Sequence, residues 1–199
     1  MQFIMTNYSE QIAKIINNNI SVKQALLNDK NLLSAIETAA NKIISCYKSG
    51  GKLLLCGNGG SAADAQHIAA EFSGRFYFDR PSLAAEAIHV NTSYLTSVAN
   101  DYSFDEIYAR YISGVGKSGD VLIAISTSGN SENIIRAITT ARKSGMFAIV
   151  LTGDTGGKIR EISDLLINVP STDTPRIQET HILIGHIICE IVEREMFPR

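Results

Sequence analysis

Short apolar runs in the middle of the chain each lead into a glycine-rich or hydroxyl-rich loop and then into a helical stretch. The runs span residues 52–56, 120–125 and 146–151. Runs of this length, bounded by glycine, are typical of buried strands, and the segments after them have the three- and four-residue apolar spacing of helices. Strands that alternate with helices form right-handed βαβ units around a parallel sheet. This pattern therefore predicts an α/β fold.

Residues 84–88 and 165–169 also have strand character, which brings the predicted sheet to five strands. We therefore expect a three-layer α/β/α sandwich with a doubly wound parallel sheet. A chain of 199 residues is expected to form a single domain over residues 1–199. Residues 1–50 read as extra N-terminal helices, too few for a second domain. We expect this extension to pack on the domain or at a subunit interface.

Composition excludes several classes of partner. The net charge of −2 gives no field that would attract nucleic acid or an anionic membrane. No apolar stretch approaches the roughly 18 residues that span a bilayer, and no secretory signal pattern is visible. The thiols Cys46, Cys56 and Cys189 lack CxxC spacing, which favours buried, reduced cysteines. We expect a cytoplasmic protein without nucleic-acid or membrane partners.

The last helix, predicted over residues 176–196, is apolar nearly all round. Such a helix must be buried, and in a chain of this size burial on all sides indicates an oligomer core. The apolar positions are Ile182, Leu183, Ile184, Ile187, Ile188, Ile191 and Val192.

Two loops have the chemistry to bind a phosphate. Gly57-Asn58-Gly59-Gly60-Ser61 opens onto a helix N-terminus, where free N–H groups and the helix dipole favour an anion. Ser126-Thr127-Ser128-Gly129-Asn130-Ser131 offers hydroxyls before another helix, although alone it could be a turn and a helix cap. The first loop also matches the loose dinucleotide fingerprint. That reading is disfavoured because Ile88-His89-Val90-Asn91 lacks the acidic residue required at the end of the second strand.

Two pairs of side chains could perform proton or metal chemistry. His67 and Glu71 lie four residues apart in a predicted helix and so share a face, as in a metal site, an acid–base pair or a solvated surface pair. Gln178 and His186 lie on the last helix, where a histidine among apolar residues is either functional or bonded to backbone in the core. Asn100-Asp101 could bond sugar hydroxyls, or Asp101 could cap the next helix.

Taken together, these residues resemble a known family. The glycine loop after Leu53-Leu54-Leu55-Cys56 and the serine loop after Ile125 resemble the two signature loops of sugar-isomerase (SIS) domains. His67-x-x-x-Glu71, Asn100-Asp101 and Arg176-Ile177-Gln178-Glu179-x-His181 narrow the resemblance to the phosphoheptose isomerases. The resemblance covers essentially the whole chain.

The resemblance implies a flavodoxin-like domain, a homotetramer and active sites at subunit interfaces. It implies isomerisation of sedoheptulose 7-phosphate to D-glycero-D-manno-heptose 7-phosphate through an enediol, on the way to the ADP-heptose of lipopolysaccharide. Glu71 and His186 would be catalytic, and one Zn²⁺ per subunit would be held by His67, Glu71, Gln178 and His186. The substrate would be contacted by Asn58, Gly59, Gly60, Ser61, Glu71, Asn100, Asp101, Ser126, Thr127, Ser128, Ser131 and Gln178.

Some features leave alternatives open. Gln178 and His186 are about 12 Å apart along a straight helix at roughly 1.5 Å per residue, so a shared ion requires both side chains to lean toward it. Some relatives carry an aspartate where this chain has Pro175, with Asp173 nearby. The rival functions are a non-catalytic SIS tetramer that binds a replication-initiator protein, another SIS sugar-phosphate enzyme, and a sugar-phosphate sensor. The Met196-Phe197-Pro198 tail resembles the tail of the replication-initiator-binding relative, whereas Glu71 and His186 favour an enzyme.

Overall fold

The computed structural model describes residues 8–199, in which seven α-helices surround one five-stranded sheet. The helices are α1 (Ser9–Asn28), α2 (Lys30–Lys48), α3 (Gly60–Ser73), α4 (Thr92–Asp101), α5 (Ile107–Val115), α6 (Glu132–Lys143) and α7 (Thr174–Met196). The strands are β1 (Leu53–Gly57), β2 (Ala85–Ala87), β3 (Val121–Ile125), β4 (Phe147–Thr152) and β5 (Leu165–Asn168).

All four strand pairings are parallel, in the order β2-β1-β3-β4-β5. This is the strand order of flavodoxin-like folds, in which the order of strands along the sheet reverses between β1 and β3. Every residue of β1 and β3 is buried, because helices cover both faces, and this explains why the strands are apolar at each position. The predicted α/β/α sandwich with a five-stranded parallel sheet is confirmed.

The two faces of the sheet carry separate apolar layers. Leu53 and Leu55 point toward α2, α3 and α7, whereas Leu54 and Cys56 point toward α4, α5 and α6. This alternation is the two-residue period of a strand, so each helical layer packs on one set of side chains. The register pairs Gly57 of β1 with Ile125 of β3, which brings the loops after these strands to the same edge.

The two N-terminal helices differ in how they pack. Helix α2 buries one apolar face on the sheet, and its N-terminus is capped by the Asp29 side chain, which accepts hydrogen bonds from the N–H groups of Asn31 and Leu32. Helix α1 buries only Leu26 and exposes most of its apolar side chains. These exposed residues are Ile12, Ile15, Ile16, Ile20 and Leu27.

Helix α7 is buried on one side by its own chain. Ile184, Ile188 and Val192 are at most 2% exposed, whereas Ile191 is 39% exposed. Thus a single chain buries only part of the apolar surface of α7, whereas the sequence predicts burial on all sides.

The helical stretch predicted after the third apolar run, at residues 158–162, is wrong. Residues 158–162 do not form an α-helix but lie largely in a single 3₁₀ turn, Gly157–Glu161. Gly156 precedes the turn and Gly157 begins it, with φ of +72° and +55°. Strand β5 begins four residues after the end of the turn, which leaves too little chain for an α-helix. No helix within residues 8–199 combines the length and apolar character needed to cross a membrane.

His181 is a buried structural histidine. Its side chain is fully buried, and its Nε2 donates a hydrogen bond of 3.0 Å to the Thr152 carbonyl at the end of β4. Burial lowers the pKa of His181 to about 4, since the charged imidazole loses its hydration.

We expect His181 to make the protein less stable in mild acid. The folded pKa is about 4 and the unfolded pKa about 6.5, so stability is fully present above the unfolded value and is lost as pH falls below it. Between pH 7.5 and pH 5.5 this loss amounts to about 1 kcal/mol of unfolding free energy. Urea denaturation at both pH values should show the loss in the wild type and a smaller one in His181→Gln. Equal pH dependence in both proteins would contradict this assignment.

Candidate active site

The glycine loop makes a sharp turn between β1 and α3. Gly59 has φ of +56°, a backbone conformation that favours glycine. At Gly60, the first residue of α3, a Cβ atom would lie 2.4 Å from Nε2 of Gln178. The glycines therefore allow the turn and permit the start of α7 to approach the N-terminus of α3.

The serine loop between β3 and α6 packs against the segment after β4. Gly129 has φ of +64°, and a Cβ there would lie 2.1 Å from the Gly156 carbonyl oxygen. Ser126 is 4% exposed and its hydroxyl lies 3.3 Å from that of Ser131, the N-cap of α6. Thr127 and Ser128 are more exposed and line a cavity of about 290 Å³ beside the loop. The loop thus presents hydroxyls to solvent on a fixed backbone.

A pair of side-chain amides joins the two loops. Asn58 of the glycine loop donates to Oδ1 of Asn133 at 2.9 Å, and Asn133 donates back to Oδ1 of Asn58 at 2.9 Å. Asn133 is the second residue of α6 and is 2% exposed. Asn133 could not be predicted from the sequence, because a single asparagine in an amphipathic helix gives no signal of a partner 75 residues away.

His67, Glu71 and His186 come together on adjacent helices. Nε2 of His67 lies 3.3 Å from Oε1 of Glu71 and 3.1 Å from Nε2 of His186. One donor atom from each residue lies within 4.8 Å of the other two. The close approach depends on Gly185, where a Cβ would lie 2.5 Å from Cδ1 of Ile68. A carboxylate and two imidazoles from α3 and α7 therefore share one small volume.

This group has the chemistry of a metal site. Two imidazoles and a carboxylate are common ligands of divalent transition metals, and three protein ligands with an open position are typical of catalytic zinc. Tetrahedral ligands at about 2.0–2.1 Å from an ion lie about 3.3 Å from one another, close to the two shorter separations given above. His67, Glu71 and His186 could hold a metal ion and leave a position for substrate.

A buried ion pair anchors the helices that carry this group. The Arg80 and Glu193 side chains are 2% and 1% exposed, with 3.1 Å between Nε and Oε1. Arg80 also donates to the carbonyl oxygens of Glu71 and Phe72 in the last turn of α3, at 2.8 and 2.7 Å. Glu193 on α7 accepts from the N–H of Phe76 at 2.8 Å. The pair therefore ties the end of α3 to α7.

The segment beyond α3 also contacts the group formed by His67, Glu71 and His186. The Phe76 ring packs on His186, with 5.7 Å between ring centroids, and the Tyr77 N–H donates to Glu193 at 2.7 Å. Burial alone would raise the pKa of Glu193, but the N–H donors of Tyr77 and Phe76 and the Arg80 guanidinium hold it below its usual value. Glu193 is thus an ionised structural partner of Arg80.

Asp64 is a further residue of this region that the sequence pattern did not indicate. It lies one turn before His67 on α3, and its Oδ2 is buried with no hydrogen-bond partner in the described part of the chain. Burial raises the pKa of Asp64, and the nearby His67 opposes that shift. Carboxylates beside a ligating histidine commonly orient its ring, which makes Asp64 a candidate support for His67.

Other predicted site residues lie apart from this group. The Gln178 amide packs at Gly60, about 10 Å along α3 from His67 at roughly 1.5 Å per residue. Its position is thus beside the glycine loop, and its role as a metal ligand stays a prediction. Asn100 and Asp101 are exposed at the end of α4 and bonded to each other at 2.9 Å. The alternative in which Asp101 caps the next helix is wrong, since Asp101 ends α4 and the next helical turn begins after Ser103.

Comparison with known proteins identifies the family of this chain. A family model described as SIS domain matches residues 17–153. The phosphoheptose isomerase of Aneurinibacillus thermoaerophilus is 52% identical over 189 residues, covering 95% of this chain and 96% of that protein. Phosphoheptose isomerase 2 of Campylobacter jejuni is 51% identical, covering 98% and 97%. The structure of a phosphoheptose isomerase from Neisseria gonorrhoeae is 43% identical with a TM-score of 0.88, covering 94% of this chain and 99% of that one.

The parallel sheet, its two phosphate-type loops and the family match together define a SIS-domain protein. Within that class, identity of about half over nearly the full length of both chains places this protein in the phosphoheptose isomerase family.

We expect Arg80→Ala to reduce the unfolding free energy by about 3–5 kcal/mol, because it leaves the buried Glu193 carboxylate without its partner. The matched control is Arg75→Ala at an exposed position five residues earlier, for which a change within about 0.5 kcal/mol is expected. Urea denaturation of the three proteins at one concentration makes the comparison. A small effect of Arg80→Ala would show that the ion pair does not anchor α3 to α7.

Proposed function

We propose that this chain isomerises sedoheptulose 7-phosphate to D-glycero-D-manno-heptose 7-phosphate. The observation that carries the proposal is the convergence of Glu71 and His186 on adjacent helices, in a chain about half identical to phosphoheptose isomerases. These relatives' names give the substrate class, and the side-chain geometry supports the chemistry. The place of the reaction in the synthesis of ADP-heptose for lipopolysaccharide stays a prediction.

The reaction moves a proton from C1 of the ketose to C2. Glu71 takes the C1 proton as the C1–H electrons form the enediol double bond, and it returns the proton to C2 of the enediol. His186 gives a proton to the C2 oxygen and accepts one from the C1 oxygen, so charge does not accumulate on either oxygen. The small volume shared by the two side chains supports these paired roles, since C1 and C2 are adjacent atoms.

Zinc is the metal that the resemblance implies for His67, Glu71 and His186. The histidine-rich donor set and the short separations between donors fit zinc. When bound, Zn²⁺ would supply Lewis-acid stabilisation of charge at the two substrate oxygens. His67, which is outside the acid–base pair, would serve as a ligand only.

The two loops would hold the phosphate end of the substrate. Hydroxyls of Ser126, Thr127, Ser128 and Ser131 and the N-terminus of α6 can satisfy phosphate oxygens without a lysine. The metal-binding group lies about two helical turns along α3 from the glycine loop, a distance comparable to an extended sugar phosphate. Binding energy gained at the phosphate would therefore orient C1 and C2 between Glu71 and His186.

The rival function is a binding protein without catalysis. The Phe197 ring of the tail residues packs over Arg80, with 5.6 Å from the guanidinium carbon to the ring centroid. Phe197 thus has a contact within its own chain, beside the ion pair that supports the catalytic helices. A purely binding protein needs no convergent carboxylate and imidazoles, so the enzyme is the favoured function.

We expect Glu71→Gln to lower kcat by about 10²–10⁴, because the amide cannot accept the C1 proton. Purified protein is incubated with sedoheptulose 7-phosphate, with and without chelator, and aldose formation is followed. The control is Glu37→Gln on the exposed side of α2, which should keep wild-type activity. Loss of activity on chelation, restored by Zn²⁺, would support the metal. An inactive wild type would contradict the function, and an active Glu71→Gln would contradict the role of Glu71.

We also propose a homotetramer with active sites at subunit interfaces. Ile12, Ile16 and Ile20 lie four residues apart on one side of α1 and are 54%, 54% and 55% exposed. An apolar stripe of this kind is typical of a helix that packs on another subunit. The half-covered apolar surface of α7 supports the same conclusion.

We expect Ile16→Asp to shift the protein to smaller assemblies, since a carboxylate in an apolar contact is strongly unfavourable. Light scattering coupled to size exclusion gives the mass of each variant. Asn18→Asp, on the opposite side of α1, introduces the same charge and should leave the assembly unchanged. A tetramer in both variants would remove α1 from the interface.

A further inference from the structure

Asn133, near the start of α6, is joined to the glycine loop by hydrogen bonds to Asn58. Its side chain makes the two 2.9 Å hydrogen bonds to Asn58, one in each direction. The two amides thus form a closed, reciprocal pair in which each group is both donor and acceptor. Asn133 is 2% exposed, whereas Asn58 is half-buried at the edge of the glycine loop.

This pair is the side-chain link between the ends of two neighbouring strands. Asn58 directly follows β1, and Asn133 is the second residue of α6, which begins after the loop that follows β3. Gly57 and Ile125 are paired in the sheet register, so the backbone alone brings the loops to one edge. It does not fix the rotation of the Asn58 side chain. The reciprocal amide pair restricts that rotation, because a flip of the Asn58 amide alone would place its N–H against the N–H of Asn133 and its oxygen against the oxygen.

We propose that Asn133 is a positioning residue for substrate, which fixes the Asn58 amide and the spacing of the two loops so that both contact one sugar phosphate. The inference deepens the proposed isomerase function and rests on it. Once paired with Asn133, Asn58 keeps one N–H and one lone pair for a ligand. Their direction is set by Asn133, although Asn133 itself is too buried to touch the substrate.

Substitution of Asn133 by aspartate tests the positioning role, because a carboxyl group can form the pair with Asn58 only when it is protonated. A purely structural role of Asn133 would not predict a KM that recovers as the pH falls. An ionised carboxylate only accepts hydrogen bonds, so it would face Oδ1 of Asn58 without a donor and break the reciprocal pair. A protonated carboxyl donates one hydrogen bond and accepts another, which restores the pair. Burial favours the protonated form of such a carboxyl, so restoration is expected in mildly acidic solution.

The experiment measures KM and kcat for sedoheptulose 7-phosphate from pH 8 to pH 5, each value divided by that of the wild type at the same pH. For Asn133→Asp we expect KM raised about tenfold at pH 8 and falling toward the wild-type value as pH decreases, with a smaller change in kcat. Asn133→Ala should show a raised KM that does not recover at low pH. Asn41→Asp, the same change at an exposed position of α2, should follow the wild type throughout.

A double-mutant cycle tests whether Asn133 acts through Asn58. If it does, Asn133→Ala should raise KM in the wild type and have little further effect in Asn58→Ala. Additive effects of the two substitutions would overturn the inference, as would a wild-type KM in Asn133→Asp at pH 8. If Asn133→Asp does not fold, the cycle with alanine decides alone.

The same measurements separate this inference from the proposed function. An inactive wild type refutes the function itself. An active wild type with additive alanine effects, or with no pH-dependent recovery in a folded Asn133→Asp, refutes only the positioning role of Asn133.

Discussion

The parallel pairing of β1 with β3 is the constraint on which the rest of the site depends. Their register places Gly57 beside Ile125, so the two loops leave the sheet at adjacent points. Each loop then enters a helix, and both helix N-termini face the same edge with free N–H groups. A phosphate-type site therefore follows from strand order, before any side chain is considered. The side chains refine it: hydroxyls line one loop, and the Asn58–Asn133 pair sets its distance from the other.

A second constraint is the close packing of α3 and α7, which lie on the same face of the sheet. Glycine permits contact at two levels, Gly60 against Gln178 and Gly185 against Ile68. Arg80 and Glu193 close the far end of this contact with a buried, fully hydrogen-bonded ion pair. Removing charges from water is unfavourable unless each is well paired, so this end of the interface has little freedom to shift. The imidazoles of His67 and His186 lie between these fixed points, which explains how residues 119 apart in sequence approach to 3.1 Å.

The sequence predicted features that depend on local spacing. The strands begin and end within about a residue of the expected positions, because buried runs bounded by glycine have few alternative structures. The i,i+4 spacing of His67 and Glu71 placed them on one face of α3, whereas the convergence of His186 with them came from the family resemblance.

Features that depend on distant partners could not be predicted in this way. Asn133, Arg80 and Glu193 each sit in an ordinary helical or loop segment, and their partners are determined only when the sheet is assembled. The sequence predicts an α-helix at residues 158–162, where the structure has the 3₁₀ turn Gly157–Glu161, because the composition of this segment suits either structure.

The reactive side chains are more exposed than the ion pair that supports their helices. The side chain of His67 is 51% exposed and that of Glu71 is 22% exposed, although the residues that support them are almost fully buried. The supporting and the reactive residues are thus different: the buried Arg80–Glu193 pair fixes the helices, whereas His67 and Glu71 lie at the helix surface. Proton transfer through an enediol benefits from exclusion of water, which strengthens charge stabilisation and limits side reactions. One chain alone does not enclose these side chains, whereas a neighbouring subunit packed on the exposed apolar faces of α1 and α7 could. Assembly and catalysis are therefore expected to depend on the same surface.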